Sequence, residues 1–148
     1  MSDEGPIRTP AARRRFTVLL STDRDVAEAA DDRISVFLAT LELSEEFRHR
    51  IQLVVSELVS NAHLHGYGGA AGRPIRLSAS IGGAAARIVV EDRGGGIHTE
   101  TEPTLPESSD AVTGRGLFIV RELADRLETL RSDAGWTRVE AELSDEDT

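Results

Sequence analysis

Residues 73–92 limit the fold more than any other part of the chain. "RPIRLSASI" and "AARIVVED" both alternate apolar and polar side chains, and only "GGA" separates them. A period of two is the pleat of a strand with one buried face. A connection that short closes an antiparallel hairpin. On the second strand the alternation puts Ala86, Ile88, Val90 and Asp92 on one face. Three of the four are apolar, so this face looks toward the core. The strand therefore ends with the Asp92 carboxylate directed inward, where a charge needs a partner. Gly94, Gly95 and Gly96 follow directly and permit close backbone approach and positive φ. Taken alone, "DRGGG" reads equally well as a turn.

The hairpin sits within a readable order of elements. "RFTVLLST" (15–22) predicts a strand with Phe16, Val18 and Leu20 on one face. Residues 23–43 predict a helix with Asp23 or Asp25 as its N-cap. Ser44 opens a second helix that runs to His65, and "GYGGAAG" breaks it. After the hairpin comes a loop of about 20 residues, a length that in compact domains usually marks a functional lid. Residues 115–125 predict a helix, and 126–132 and 136–143 two closing strands around "DAG". The expected class is α+β: a two-layer sandwich with three main helices on one face of a mixed, mostly antiparallel five-stranded sheet. Residues 1–14 read as a flexible arm, 15–143 as one domain and 144–148 as an acidic tail.

The second helix holds "VVSELVSNAHLHGYGG". At about 100° per residue, Ile51, Val55, Leu58 and Ala62 centre its apolar stripe. Glu57 and Asn61 lie along one edge, with His65 on the same side. A lone Glu there is most simply a solvated flank. Asn is a poor helix former and is usually placed mid-helix for a reason. A third feature is "TGRGLFIV", where Gly114 and Gly116 precede a helix start and Thr113 can cap it. Free N–H groups and the positive dipole end suit such a start to phosphate.

These features are stronger together than apart. Asn61 can supply a hard oxygen to Mg²⁺ when phosphates supply others. Asp92 can accept from the exocyclic amine of adenine. Glu57, one turn from Asn61, can take a proton from a nucleophile. Composition narrows the alternatives. The chain has no cysteine, which excludes disulfides and thiol chemistry. All 17 basic residues are Arg, so P-loop and protein-kinase-like lysine chemistry is excluded. A net charge of −9 argues against nucleic-acid binding. No apolar run is long enough for a bilayer and the first residues carry no hydrophobic segment, so the expected compartment is the cytoplasm, away from membranes.

"ELVSNAHLHG", "DRGGGI" and "GRGLFIV", in this order and spacing, resemble the N, G1 and G2 boxes of the GHKL (Bergerat-fold) ATPases. Within them the chain resembles the bacterial anti-sigma factor serine/threonine kinases over about residues 15–143. The resemblance implies ATP and Mg²⁺ as cofactors. It implies Glu57 as general base and Asn61 as the Mg²⁺ ligand. Asp92 would bind the adenine amine, with Gly94, Gly96 and Ile97 along that wall. Gly114, Arg115, Gly116 and Leu117 would wrap the phosphates. Thr137 matches the family's threonine near adenine, although Trp136 stands where a small residue is common. His65 matches the N-box histidine and is expected to be packed and hydrogen-bonded, with His49 and His63 on the surface.

The implied partners are a STAS-domain anti-anti-sigma protein, which is phosphorylated, and a sigma factor, which is sequestered by a homodimer. Residues 98–113 contain acidic charges and no Arg, leaving Arg115 alone to neutralise the γ-phosphate. That departure keeps a second reading open: an ATP-dependent binding module with little or no kinase activity. A detached sensor histidine kinase domain is disfavoured, because no helical hairpin with a phosphoacceptor histidine is present.

Overall fold

The computed structural model describes residues 13–23, 25–94, 118–131 and 135–145. The elements are β1 (Arg14–Ser21), α1 (Val26–Leu38), α2 (Glu45–Asn61), a π-helical turn (Ala62–Gly66), β2 (Pro74–Gly82) and β3 (Ala85–Asp92). There follow α3 (118–123), β4 (Arg126–Arg131) and β5 (Thr137–Ser144). The sheet order is β1-β2-β3-β5-β4, and every neighbouring pair is antiparallel. The three helices pack on one face of this open sheet, as the order of elements predicts. The expected mixed sheet is thus corrected to an antiparallel one, because the chain returns through α3 and β4 before β5 enters between β3 and β4.

Local chemistry sets the helix ends. Asp25 caps α1 by accepting from the Glu28 N–H at 3.1 Å, and Ser44 caps α2 by accepting from the Phe47 N–H at 3.1 Å. Each satisfies an otherwise orphaned donor. α1 stops at Leu38, earlier than the expected 43, where the Thr40 hydroxyl donates to the Phe37 carbonyl at 2.7 Å and closes the last turn. Leu41 and Leu43 still pack on the core, but from irregular chain.

The core lies between the layers. Ile34 and Leu38 of α1 and Phe47, Ile51, Val55 and Leu58 of α2 are buried against Ile75, Leu77, Ile88 and Leu143 of the sheet. Each fully buried side chain of this size contributes about 1.5–3 kcal/mol, so α2 is the most firmly seated helix. The opposite face of the sheet carries a row read across all five strands: Leu19, Arg76, Glu91, Arg138, Leu130. Beside it Glu140, 7% exposed, is held by Arg87 and Arg138, each at 2.6 Å.

Candidate functional site

Where α2 ends, the helix widens. Tyr67 N–H reaches back five residues to the Ala62 carbonyl at 3.2 Å, so Ala62–Gly66 form a π-turn and not the continued α-helix expected to His65. Such single turns occur often at functional sites. The wider turn also exchanges the roles expected of two histidines. His65 is exposed rather than packed, while His63 is half-buried with its Nε2 sealed off and without a hydrogen-bond partner among the described residues. His49 is exposed, as expected.

The π-turn delivers Gly66 onto the end of β3. A Cβ at Gly66 would lie 2.6 Å from both Cγ and Oδ1 of Asp92, so a side chain there would displace the carboxylate. A Cβ at Gly94 would fall on the Gly66 carbonyl oxygen. The two chains cross backbone on backbone, and only glycine fits on either side. Tyr67 fixes the crossing. Its hydroxyl accepts from the Arg93 N–H at 2.7 Å and donates to the Pro74 carbonyl at 2.5 Å, tying the exit of β3 to the start of β2.

Asp92 is 2% exposed on the core face, where the alternation of β3 predicts it. Its Oδ1 accepts from the Gly94 N–H at 2.9 Å. Burial pushes its pKa up, and the Gly94 N–H pulls it partly back. Directly opposite on β5 stands Thr137, fully buried, with its Oγ1 lacking any hydrogen-bond partner among the described residues. A buried carboxylate without an ion pair, beside an orphaned hydroxyl, is costly unless a ligand completes it. A ring that carries an exocyclic amine next to a ring nitrogen meets both needs, and adenine has that edge.

Glu57 and Asn61 stand on α2 one turn apart, Asn61 at 7% exposure and Glu57 half-buried. Burial raises the Glu57 pKa above its ordinary 4.5. The structure thus places Asp92, Gly94 and Thr137 together on one wall, with Glu57 and Asn61 along the helix that leads to it. Gly96, Ile97, Gly114, Arg115, Gly116 and Leu117 lie outside the described residues. So does nearly all of the expected lid loop. Gly66 and Tyr67 were assigned no role from sequence. Their signal is the glycine at a helix end followed by an aromatic hydroxyl, and it gains meaning only from contacts with residues 92–94. Trp136, next to Thr137, has two guanidinium groups over its ring, Arg76 at 4.4 Å and Arg93 at 5.4 Å from its centre.

A two-layer fold of this order, with a buried carboxylate and paired glycines at the end of β3, defines an ATPase-type nucleotide domain. Residues 19–142 match the histidine kinase-like ATPase domain, and the chain belongs to that family. It is 30% identical over 112 residues to an anti-sigma F factor of Bacillus thuringiensis (strain Al Hakam), covering 72% of this chain and 75% of that protein. An anti-sigma F factor of Bacillus mycoides (strain KBAB4) is similar to the same degree. Among solved structures, the chain superposes on one chain of the SiaB–SiaC complex from Pseudomonas aeruginosa with a TM-score of 0.56, at 12% identity, covering 86% of this chain and 88% of that one. The histidine kinase domain of the Erythrobacter litoralis EL346 blue-light activated histidine kinase gives 0.53 at 20% identity and 83% coverage. This chain spans 64% of that one. Family membership implies ATP as the nucleotide. Among the described residues, no helix is long and apolar enough to cross a membrane.

Proposed function

We propose that the chain is an ATP-dependent anti-sigma factor that phosphorylates a serine or threonine of a STAS-domain anti-anti-sigma protein. It also sequesters a sigma factor, as a cytoplasmic homodimer. The observation that carries the nucleotide half is the Asp92–Thr137 pair, buried and incomplete without a ligand. Asp92 accepts from the adenine amine and Thr137 serves the ring beside it, while the Gly66–Gly94 crossing holds the Asp92 carboxylate in place. Gly96 and Ile97 extend that wall, and Gly114, Arg115, Gly116 and Leu117 surround the phosphates. The Asn61 side-chain oxygen would hold Mg²⁺, which when bound neutralises phosphate charge.

Glu57 supports the transfer half. Its raised pKa brings it closer to the working range of a general base. It removes the proton of the acceptor hydroxyl as that oxygen bonds to the γ-phosphorus. The bond from the γ-phosphorus to the β,γ-bridging oxygen breaks, and ADP leaves. Glu57 keeps the proton. The relatives named as anti-sigma F factors support the choice of partners.

The test incubates the purified chain with γ-labelled ATP and each STAS-domain protein of the source organism, alongside pull-downs of sigma factors with ATP present. Label on a serine or threonine, and ATP-dependent sigma capture, are the expected results. Capture without any transfer would replace the kinase by the ATP-dependent binding module, the outcome that the Arg-free stretch 98–113 favours.

A further inference from the structure

The flank of α2 that carries Asn61 and Glu57 continues toward the start of the helix. Leu53, 41% exposed, stands four residues before Glu57, and the exposed His49 four before that. Each such step advances about 6 Å along the axis. Leu53 and His49, with Glu45 and Glu46 at the head of α2 and Leu123 at the end of α3, line an open, shallow groove of about 530 Å³. Its wall is fixed by Arg50, whose Nη1 donates to the Ser144 carbonyl and Nη2 to the Leu123 carbonyl, both at 3.0 Å. The same guanidinium lies 5.5 Å over the Phe47 ring. Glu45 and Glu46 are exposed and form no ion pair among the described residues. The groove therefore has an apolar floor and an acidic lip, and at one end Leu53 stands one helical turn before Glu57.

We propose that this groove docks the segment of the phosphoacceptor protein that adjoins its acceptor hydroxyl. An apolar side chain rests on Leu53 and Leu123, and an Arg or Lys beyond it faces Glu45 and Glu46. The proposal rests on the kinase reading above and gives that reading its protein-binding surface. The spacing is set by the helix. Leu53 lies about 6 Å and Glu46 about 16 Å from Glu57 along the axis. An extended strand advances about 3.3 Å per residue. The apolar residue thus falls about two positions from the acceptor hydroxyl, and the cation about five.

The test uses the full chain with γ-labelled ATP and the STAS-domain protein that wild type phosphorylates. Leu53→Arg and a combined Glu45→Arg, Glu46→Arg variant are compared with Leu130→Arg on the far face of the sheet. Melting curves establish that each is folded, and calorimetry gives ATP affinity. The groove variants are expected to need about tenfold more acceptor for half-saturation, the effect of losing one interface anchor, with ATP affinity unchanged. Leu130→Arg is expected to match wild type. Replacing the acceptor's basic residue with Glu should restore saturation to the Glu45/Glu46 variant. If wild type transfers phosphate and both groove variants saturate as it does, the docking proposal is wrong while the kinase reading stands. If Leu53→Arg instead turns a dimer into a monomer with saturation unchanged, the groove belongs to a second copy and the proposal falls. If wild type labels no STAS-domain protein, the kinase reading fails and this proposal fails with it.

Discussion

At Asp92 the folded chain keeps a carboxylate almost wholly out of water, with a backbone N–H and no ion pair among the described residues to hold it. Its folded pKa lies above the unfolded 3.8 because burial disfavours the charge. The unfolded chain therefore releases this proton more readily. The cost to the fold is absent well below pH 3.8, grows as pH rises, and is complete above the folded pKa. Asp92→Asn keeps an acceptor for Gly94 and loses the buried charge. Without nucleotide it should melt higher than wild type at pH 7, and the gap should close as pH falls toward 4. The same variant should bind ATP roughly 10–100-fold more weakly, since hydrogen bonds to charged groups are worth ~1.5–3 kcal/mol. Scanning calorimetry with and without ATP reads both effects, and an unchanged ATP affinity would remove Asp92 from the site. Glu57 works in the other direction. A base acts only when deprotonated, so transfer should fall as pH drops through its raised pKa, with a midpoint above 4.5. Glu57→Gln should slow single-turnover transfer by ~10²–10⁴-fold and abolish that acid limb. A limb that survives in the variant would place the proton elsewhere.

Between elements, the decisive join is the crossing of the π-turn over the end of β3. Tyr67→Phe removes one hydroxyl and two hydrogen bonds, leaving the Arg93 N–H and the Pro74 carbonyl without it. Losing two bonds at ~0.5–1.5 kcal/mol each, at about 2–4 °C per kcal/mol for a chain of this size, should lower the melting point by several degrees. ATP affinity should fall too, because the turn that carries Gly94 loses its tether. A melting shift with unchanged affinity would limit Tyr67 to holding the fold. This join also marks how far the sequence can be read. The period of β3 directs Asp92 inward, and Ser44 marks the start of α2, because both signals are local. The π-turn adds one residue to a helix whose apolar spacing continues, so nothing periodic announces it. That is why His63 and His65 exchange places. Gly66 is required by a carboxylate 26 residues away, a distance over which no pattern in the chain carries information. α1 reads too long for a related reason: Leu41 and Leu43 keep helical spacing while packing on the core from irregular chain.

Across the described residues, the helices cover one face of the sheet, and the other face carries charges paired both across strands and along them. Arg76–Glu91 and Arg126–Glu128 are exposed enough that each pair contributes little, about 0–1 kcal/mol. The succession of elements along the chain and the two layers were legible because hairpin spacing and apolar alternation repeat along the chain. The antiparallel character of every pairing was not, because β5 enters beside β3 through a connection that only the fold defines. At the site-bearing end of this sheet, Trp136 has the guanidinium groups of Arg76 and Arg93 over its ring, and Arg93 directly follows Asp92. The chain has no other tryptophan. Its emission therefore comes from a single ring that directly precedes Thr137 and has Arg93, the neighbour of Asp92, over its face, beside the two residues proposed to meet the base. Excited indole is sensitive to nearby charge, so a nucleotide that draws in the Asp92 strand end should change intensity and wavelength together. The protein thus carries its own optical gauge of occupancy. Titration with ATP should give a saturable change that is absent in Asp92→Asn at the same concentrations and absent altogether in Trp136→Phe. A spectrum that stays constant while calorimetry records binding would mean that the strand end does not move when the site fills.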